Sequence, residues 1–197
     1  MQILITLLAV LLATKGGGFF TFPPTGISTF WPPNAILLAS MLSLGSRDRM
    51  TCLLLAFPTY FIAELWIGFS TVTSVVFAAA NCVAVAAGSS LSRRFGARSE
   101  WLGSLQGMGQ LLVSVMVASV IGGTIGSTWV AISDGPFVPT LLRWVLADFV
   151  GYVVFVPVVL TIPNWVKWLG ETKAITIAES AASIGLVTLF AFIAYGP

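Results

Sequence analysis

The sequence predicts an all-α fold, a polytopic bundle of about seven transmembrane helices. Of its 197 residues, 57% are hydrophobic and only 8% are charged, whereas a soluble domain carries about 25% charged residues. Several apolar runs of 18 residues or more are almost uncharged, and about 20 such residues cross a ~30 Å hydrocarbon core as a helix. The runs are continuously apolar, whereas a membrane β-barrel requires alternation. The composition therefore favours membrane helices over strands.

Seven hydrophobic segments follow one another along the chain. They cover residues 1–14, 34–46, 50–69, 72–92, 104–130, 137–161 and 175–196. The first is short, because fourteen residues at 1.5 Å each span only about 21 Å. It therefore thins the bilayer, continues past Lys15, or has lost preceding residues. A cleaved signal peptide is the alternative, but no basic stretch precedes the apolar run.

The basic residues predict the orientation of the chain. Seven of the nine follow the second, fourth and sixth segments: Arg47, Arg49, Arg93, Arg94, Arg98, Lys167 and Lys173. These three loops share one side if every segment crosses once, and the positive-inside rule makes that side cytoplasmic. The N-terminus is then cytoplasmic and the seventh segment ends outside. We therefore expect a further helix beyond residue 197 that returns the chain to the cytoplasm.

The link from Lys15 to Pro33 lies on the opposite side and is rich in glycine, proline and aromatic residues. It is too apolar for a solvated loop, so we expect it to fold back onto the bundle near the outer headgroups, where tryptophan is favoured. Pro32 and Pro33 stand directly before an apolar run. In the first turn of a helix a proline gives up only an amide that is unpaired anyway. The pair therefore fixes the start of a helix, with Trp31 and Asn34 at its outer rim.

Few ionisable residues lie inside the segments, and each costs about 2.5 to 3.5 kcal/mol at a helix centre unless it has a partner or a cavity. They are Glu64, Arg143, Asp148 and Glu179. At helical spacing the two central acids lie on aromatic faces that we expect to contact protein, Asp148 with Trp144, Gly151, Tyr152 and Phe155, and Glu64 with Phe57, Tyr60, Phe61 and Gly68.

These residues have structural alternatives to ligand binding. Asp148 and Glu64 either contact a ligand or form a buried pair or hydrogen bond that fixes helix packing. Arg143 either meets Glu64 or an anionic ligand, or extends to the outer headgroups. Glu179 is better explained as an interfacial acid. Asn34 and Asn81 have the side chains to hydrogen-bond across helices, which in membranes usually serves packing.

Other patterns predict packing and topology rather than chemistry. The run GGTIG at 122–126 follows no strand and lacks a lysine, so it indicates a close helix crossing rather than a phosphate loop. The run SRRFGAR at 92–98 is typical of a cytoplasmic anchor, with anionic lipid contact as the alternative. The small residues Ala178, Ala181, Ala182 and Gly185 favour packing within the chain, with a homodimer as the alternative.

The sequence also excludes several classes of site. It contains no histidine, which excludes His-ligated haem, His-containing zinc sites and phosphorylation on histidine within this segment. Cys52 and Cys82 lie in apolar runs, where cysteine is usually a small buried hydrophobe. A net charge of +2 without a basic block gives no reason to expect nucleic acid. No nucleophile, metal cluster or phosphate cradle is evident, so we predict neither an enzyme active site nor a cofactor.

Two motifs, FWPPNAILLASMLSLG and WVLADFVGYVVFVPVVL, resemble the MASE1 family of bacterial membrane-associated sensor domains over essentially the whole chain. In that family a Trp-Pro-Pro motif opens an early helix, and a late helix carries Trp, an acid, Gly and Pro. The matching residues are Trp31, Pro32, Pro33 and Asn34, then Trp144, Asp148, Gly151 and Pro157. The resemblance implies about eight helices in the bacterial inner membrane. It also implies fusion to a cytoplasmic histidine kinase or diguanylate cyclase domain, absent here.

The leading hypothesis is a sensory domain that binds an unidentified small molecule, or senses the bilayer itself, through a pocket in its outer half. We expect this pocket to be formed by Trp31, Pro33, Asn34, Glu64, Arg143, Trp144, Asp148 and Tyr152. Occupancy would bias the following helix and so the protein's own output domain. The alternatives are a small-solute transporter, which would use the same acids and helix entrance, and a dimerising membrane anchor without a ligand.

Overall fold

The computed structural model describes residues 2–18, 21–22, 27–28, 30–96 and 104–169. This part of the chain forms six helices. They are α1 Gln2–Gly17, α2 Pro32–Ser43, α3 Ser46–Ile67, α4 Thr71–Arg94, α5 Leu105–Ile132 and α6 Phe137–Leu169. The chain divides into two compact units, Met1–Leu160 and Thr161–Pro197, and the features discussed below lie in the first.

The helices correspond to the first six predicted segments, whereas the seventh, 175–196, lies outside the described residues. Four of them are long and apolar enough to cross a membrane: Ser46–Ile67, Thr71–Arg94, Leu105–Ile132 and Phe137–Thr161. A count of seven is therefore not confirmed. Helix α1 continues past Lys15, as one alternative for the short first segment predicts.

A short β-pair interrupts the otherwise helical fold in the link between α1 and α2. Strands β1, Thr21–Phe22, and β2, Ile27–Ser28, run antiparallel, with Thr21 opposite Ser28. The expectation of helices rather than strands concerns the apolar runs, which are helical in the described residues, and this pair lies outside them. Two residues per strand carry no readable alternation, and isolated two-stranded pairs are marginal without packing against other elements.

Helix α2 is a short central helix. Its 12 residues span about 18 Å, and it contacts α1, α3 and α4. Ala35, Leu37, Leu38 and Ala39 are fully buried. The helix begins at Pro32 and Pro33 without a side-chain cap, which confirms that the two prolines form its first turn. Because α2 spans only about 18 Å and is enclosed by longer helices, its first turn lies inside the bundle.

Successive helices run in opposite directions. The Thr6 hydroxyl, near the start of α1, lies 3.0 Å from that of Ser40, near the end of α2, so these two helices are antiparallel. Lys15 Nζ donates to the Trp66 carbonyl at 3.1 Å, so the C-terminal ends of α1 and α3 meet. Arg93 Nη2 donates to the carbonyls of Met41 and Leu44, at 3.0 and 3.2 Å. Arg47, Arg49, Arg93 and Arg94 therefore share one end of the bundle, here called the arginine end. The other we call the Trp31 end.

Helix α5 packs closely on both α4 and α6 through its glycines. A Cβ on Gly122 would lie 2.9 Å from Ala84 of α4, and one on Gly123 would lie 3.1 Å from Val145 of α6. A Cβ on Gly126 would overlap the indole of Trp144. The interpretation of GGTIG as a close helix crossing is confirmed.

The described surface is apolar where a soluble protein would be polar. Large exposed side chains include Leu54, Ile62, Trp66, Val113, Val138, Leu142 and Leu146. Buried positions, by contrast, include Asn34, Asn81, Glu64 and Asp148. Lipid offers apolar side chains a matching solvent, whereas polar groups must find partners inside the protein. This inverted distribution is that of a membrane protein.

Candidate functional site

A buried hydrogen-bond network joins α2, α3, α4 and α6 toward the Trp31 end. Asn34 of α2 lies at its centre and is fully buried. Its Oδ1 accepts from the Tyr60 hydroxyl at 2.7 Å. Its Nδ2 donates to Asn81 Oδ1 at 2.9 Å and to both carboxyl oxygens of Asp148, at 3.1 and 3.2 Å. Asn81 Nδ2 in turn donates to Glu64 Oε1 at 3.2 Å. We call these five residues the asparagine network.

Helical spacing explains why these side chains meet. Tyr60 and Glu64 are one turn apart on α3 and therefore share a face. Asn34 lies in the first turn of α2, so the Pro32-Pro33 start determines its position. Asp148 lies on the face of α6 that carries Trp144 and Tyr152, both buried. The expectation that both central acids face protein is confirmed, since Glu64 and Asp148 are each only 1% exposed.

The two carboxyl groups differ in how completely they are satisfied. Both oxygens of Asp148 lie within hydrogen-bond distance of Asn34 Nδ2 and share one of its hydrogens, since the other goes to Asn81. Glu64 Oε1 has Asn81, but Glu64 Oε2 has no partner among the described residues. An unsatisfied buried oxygen costs about 1–3 kcal/mol, and more when charged. Glu64 Oε2 therefore marks a place where a donor from outside the chain would be stabilising.

A cavity adjoins the network. Its volume is about 40 Å³, measured as the space open to the centre of a water molecule. One water needs about 10–15 Å³ on this measure, so about three water-sized groups fit. The lining residues are Gly18, Ser28, Trp31, Glu64, Ile67, Phe69, Phe77, Asn81, Trp144, Ala147 and Asp148. The cavity thus combines two acids and an amide with an aromatic wall.

The aromatic wall is built by edge-to-face contacts. The ring centroids of Phe69 and Phe77 are 5.3 Å apart with an interplanar angle of 74°. Those of Phe77 and Trp144 are 4.9 Å apart at 83°. Such pairs contribute about 0.5–1.5 kcal/mol beyond their area burial. The wall therefore holds α4, α6 and the segment after α3 together beside the cavity.

Trp31 is fixed against α6 and α1 by its backbone and its ring. Its amide donates to the Ala147 carbonyl at 3.3 Å. Gly151, one turn further along α6, lies so close to the Trp31 carbonyl that a Cβ would overlap it, and a Cβ on Gly17 would lie 2.9 Å from the indole. The expected folding of this link onto the bundle is confirmed for Trp31. The expected close approach at Gly151 is confirmed too.

The structure brings together most, but not all, of the predicted site residues. Trp31, Glu64, Trp144 and Asp148 line the cavity, and Asn34 bonds to Asp148. Pro33 and Tyr152 are buried but are not among the lining residues. Arg143 is exposed on α6 and is not among them either. The geometry therefore gives no support to the expectation that Arg143 lines the pocket.

Sequence reasoning underestimated two residues, Tyr60 and Asn81. The sequence predicts a packing role for Asn81 and places Tyr60 only on the Glu64 face, yet each connects one helix to the network. The available signal was an amide in a long apolar helix and a tyrosine one turn from a buried acid. Which polar groups pair across helices depends on helix rotation, which a single sequence does not specify.

Among the described residues no group of three histidine, cysteine or acidic side chains is placed to hold a metal. A helical membrane domain with a buried polar network beside a small cavity is typical of integral-membrane binding or sensory domains. The model of the MASE1 family matches residues 2–195, and the chain belongs to this family. MASE1 domains are membrane-associated sensory domains. No curated protein and no solved structure matches the chain.

Proposed function

We propose that this chain is the sensory input domain of a bacterial signalling protein in the plasma membrane. Its N-terminus lies in the cytoplasm, where the same polypeptide carries a histidine kinase or a diguanylate cyclase. Family membership supports a sensory role for a segment that is not itself an enzyme. The positive-inside pattern supports the orientation, and the family resemblance supports the output domains.

One observation carries the proposal: the asparagine network joins four helices beside a cavity that contains an unsatisfied carboxyl oxygen. A ligand that bonds to Glu64 Oε2 acts on the carboxyl group whose other oxygen accepts from Asn81. Asn81 is bonded to Asn34 and so to Asp148, which connects the site to α2, α4 and α6. A ligand shifts a conformational balance only by its differential affinity for the two states. A network shared by four helices provides this difference in affinity, because a rearrangement of the helices breaks its hydrogen bonds and changes the site that the ligand contacts.

The proposal is tested by the output activity of the full-length protein in proteoliposomes. Asp148→Asn keeps the shape of the side chain but alters the network, and we expect it to change the kinase or cyclase rate about fivefold or more, the effect of about 1 kcal/mol on a two-state balance. Asp134→Asn is the matched control, because Asp134 is exposed in the turn after α5. Unchanged output in correctly inserted Asp148→Asn would favour the anchor without a ligand.

A transporter is the second candidate, favoured by the start of short α2 beside buried acids, an arrangement that suits solute sites. It predicts saturable solute flux into vesicles that Asp148→Asn abolishes. A sensor predicts that the same substitution alters output while the vesicles show no such flux.

A further inference from the structure

We propose that the cavity beside Glu64 binds a small organic ammonium ion, of the size of methylammonium or ethylammonium. The inference rests on the proposed function, because it names the chemical class of the signal that the sensory site recognises. It combines three independent features of the cavity: its charge, its aromatic lining and its size.

The charge of the lining favours a cation. Glu64 and Asp148 both line the cavity, and the described lining residues include no lysine or arginine. Buried carboxylates require a partner, because the penalty for removing each from water is several kcal/mol. Asp148 has Asn34, but Glu64 Oε2 has no described partner. An ammonium N–H supplies both the hydrogen bond and the positive charge that this oxygen lacks.

The aromatic lining favours an organic cation over a strongly hydrated metal ion. Trp31, Phe69, Phe77 and Trp144 contribute to the wall. Aromatic rings attract ammonium groups through their quadrupole, and tryptophan does so best. The same rings offer no oxygen ligands, whereas hard metal cations take six or more oxygens. An alkylammonium ion uses both sides of the cavity, with its N–H groups toward Glu64 and its carbon toward the rings.

The available donors argue against an anion. The amide of Asn34 donates to Asn81 and Asp148, and the amide of Asn81 donates one hydrogen bond to Glu64. The indole N–H of Trp31 is buried without a described partner, but one neutral donor does not offset two acids. That N–H suits a water or a hydroxyl group instead. The volume of about 40 Å³ matches a ligand of about three heavy atoms, since each water-sized group takes about 10–15 Å³.

The test is a thermal-unfolding titration of the purified full-length protein in lipid nanodiscs, with methylammonium chloride as the probe. Ligand binding to the native state raises the Tm in a saturable way. We expect such a rise with methylammonium but not with sodium chloride at equal ionic strength, nor with tetraethylammonium, which is too large. Glu64→Gln should weaken the effect by about tenfold or more, because it removes the charge that pairs with the ligand.

Asp48→Asn is the control on the same helix, since Asp48 is an exposed acid near the arginine end; it should respond like the wild type. No saturable rise with methylammonium in the wild type, or an equal rise with sodium, overturns the proposal and indicates a water-filled cavity or a different ligand. If Glu64→Gln does not fold, the wild-type size series alone decides.

The two proposals fail separately. Methylammonium binding without any effect on kinase or cyclase output supports the ammonium site and contradicts the sensory role of this cavity. Absence of methylammonium binding, with output still altered by Asp148→Asn, overturns the ammonium ligand and leaves the sensory role intact.

Discussion

Asn34 is the residue on which the buried network most depends, because it contacts three other members through one amide. Truncation to alanine leaves the Tyr60 hydroxyl and the Asp148 carboxyl without this partner. We expect Asn34→Ala to lower the free energy of unfolding by about 1–3 kcal/mol, the usual cost of unsatisfied buried groups. A single hydrogen bond between membrane helices contributes about 0.6 kcal/mol. A loss in the free energy of unfolding below that value would show that the network contributes little to stability.

Unfolding of the purified protein in mixed detergent micelles measures this loss. Thr59→Ala is the control, because among the described residues the Thr59 hydroxyl donates to the carbonyl of Leu55, one turn earlier in its own helix. Equal melting of both variants would contradict the central position assigned to Asn34.

At the scale of single residues, the sequence predicted the positions of the buried acids Glu64 and Asp148 more reliably than that of Arg143. Glu64 and Asp148 are short acids in apolar runs, and their side chains are too short to extend out of the membrane. Exposure to lipid would be costly in free energy, so the sequence predicts that both are buried in protein. Arg143 has a long side chain near a helix start and can extend outward, and its exposed position agrees with that alternative. Tyr60 was the harder residue to foresee, because tyrosine also serves as an ordinary apolar side chain.

At the scale of helices, glycines set how closely α5 and α6 approach their neighbours. Gly126→Ala should destabilise the fold by about 1–3 kcal/mol, because the new methyl group overlaps Trp144 and overpacking costs about that much. Displacing Trp144 should also disturb the aromatic wall of the cavity. Gly109→Ala is the matched control on the same helix, since beyond its chain neighbours and the backbone of its own helix no described atom lies within 4 Å of the added Cβ.

A thermal-melting comparison checks this prediction. Gly109→Ala should be neutral or raise the Tm, since alanine is the better helix former by about 1 kcal/mol. A fall in Tm of equal size for both variants would show that the helix crossing is looser than described.

The sequence predicted which segments form helices better than it predicted the residues at which the helices end. The apolar runs specified six helices, and the prolines specified where α2 begins. The sequence does not predict that α6 extends to Leu169, because the charge pattern places Lys167 in a loop. The β-pair also escaped prediction, since it depends on how the link packs on the bundle rather than on its own pattern.

At the scale of the whole molecule, the charge pattern and the fold agree on one arginine end. Arg93 binds the last carbonyls of α2 there, where the helix dipole also favours a cation. The proposed orientation puts this end in the cytoplasm. The cavity then lies in the outer half, within reach of signals that do not cross the membrane.

Cysteine labelling with a membrane-impermeant maleimide checks this orientation. In a background with Cys52 and Cys82 replaced by alanine, Ser133→Cys in the turn after α5 should react in intact spheroplasts. Ser46→Cys at the start of α3 should react only after permeabilisation. Both serines are exposed, so each serves as the accessibility control for the other. The reverse labelling pattern would show that the topology is inverted and that the cavity lies toward the cytoplasm.

The central claim is that the asparagine network acts as one unit that transmits the state of the site to the output domain. A double-mutant cycle on the output rate of the full-length protein in proteoliposomes tests it most directly, with Asn34→Ala, Asp148→Ala and the double variant. If the network is one unit, the double variant matches the stronger single variant, which corresponds to a coupling of about 0.5–3 kcal/mol. Unchanged output in all three variants, or effects that simply add, would contradict it.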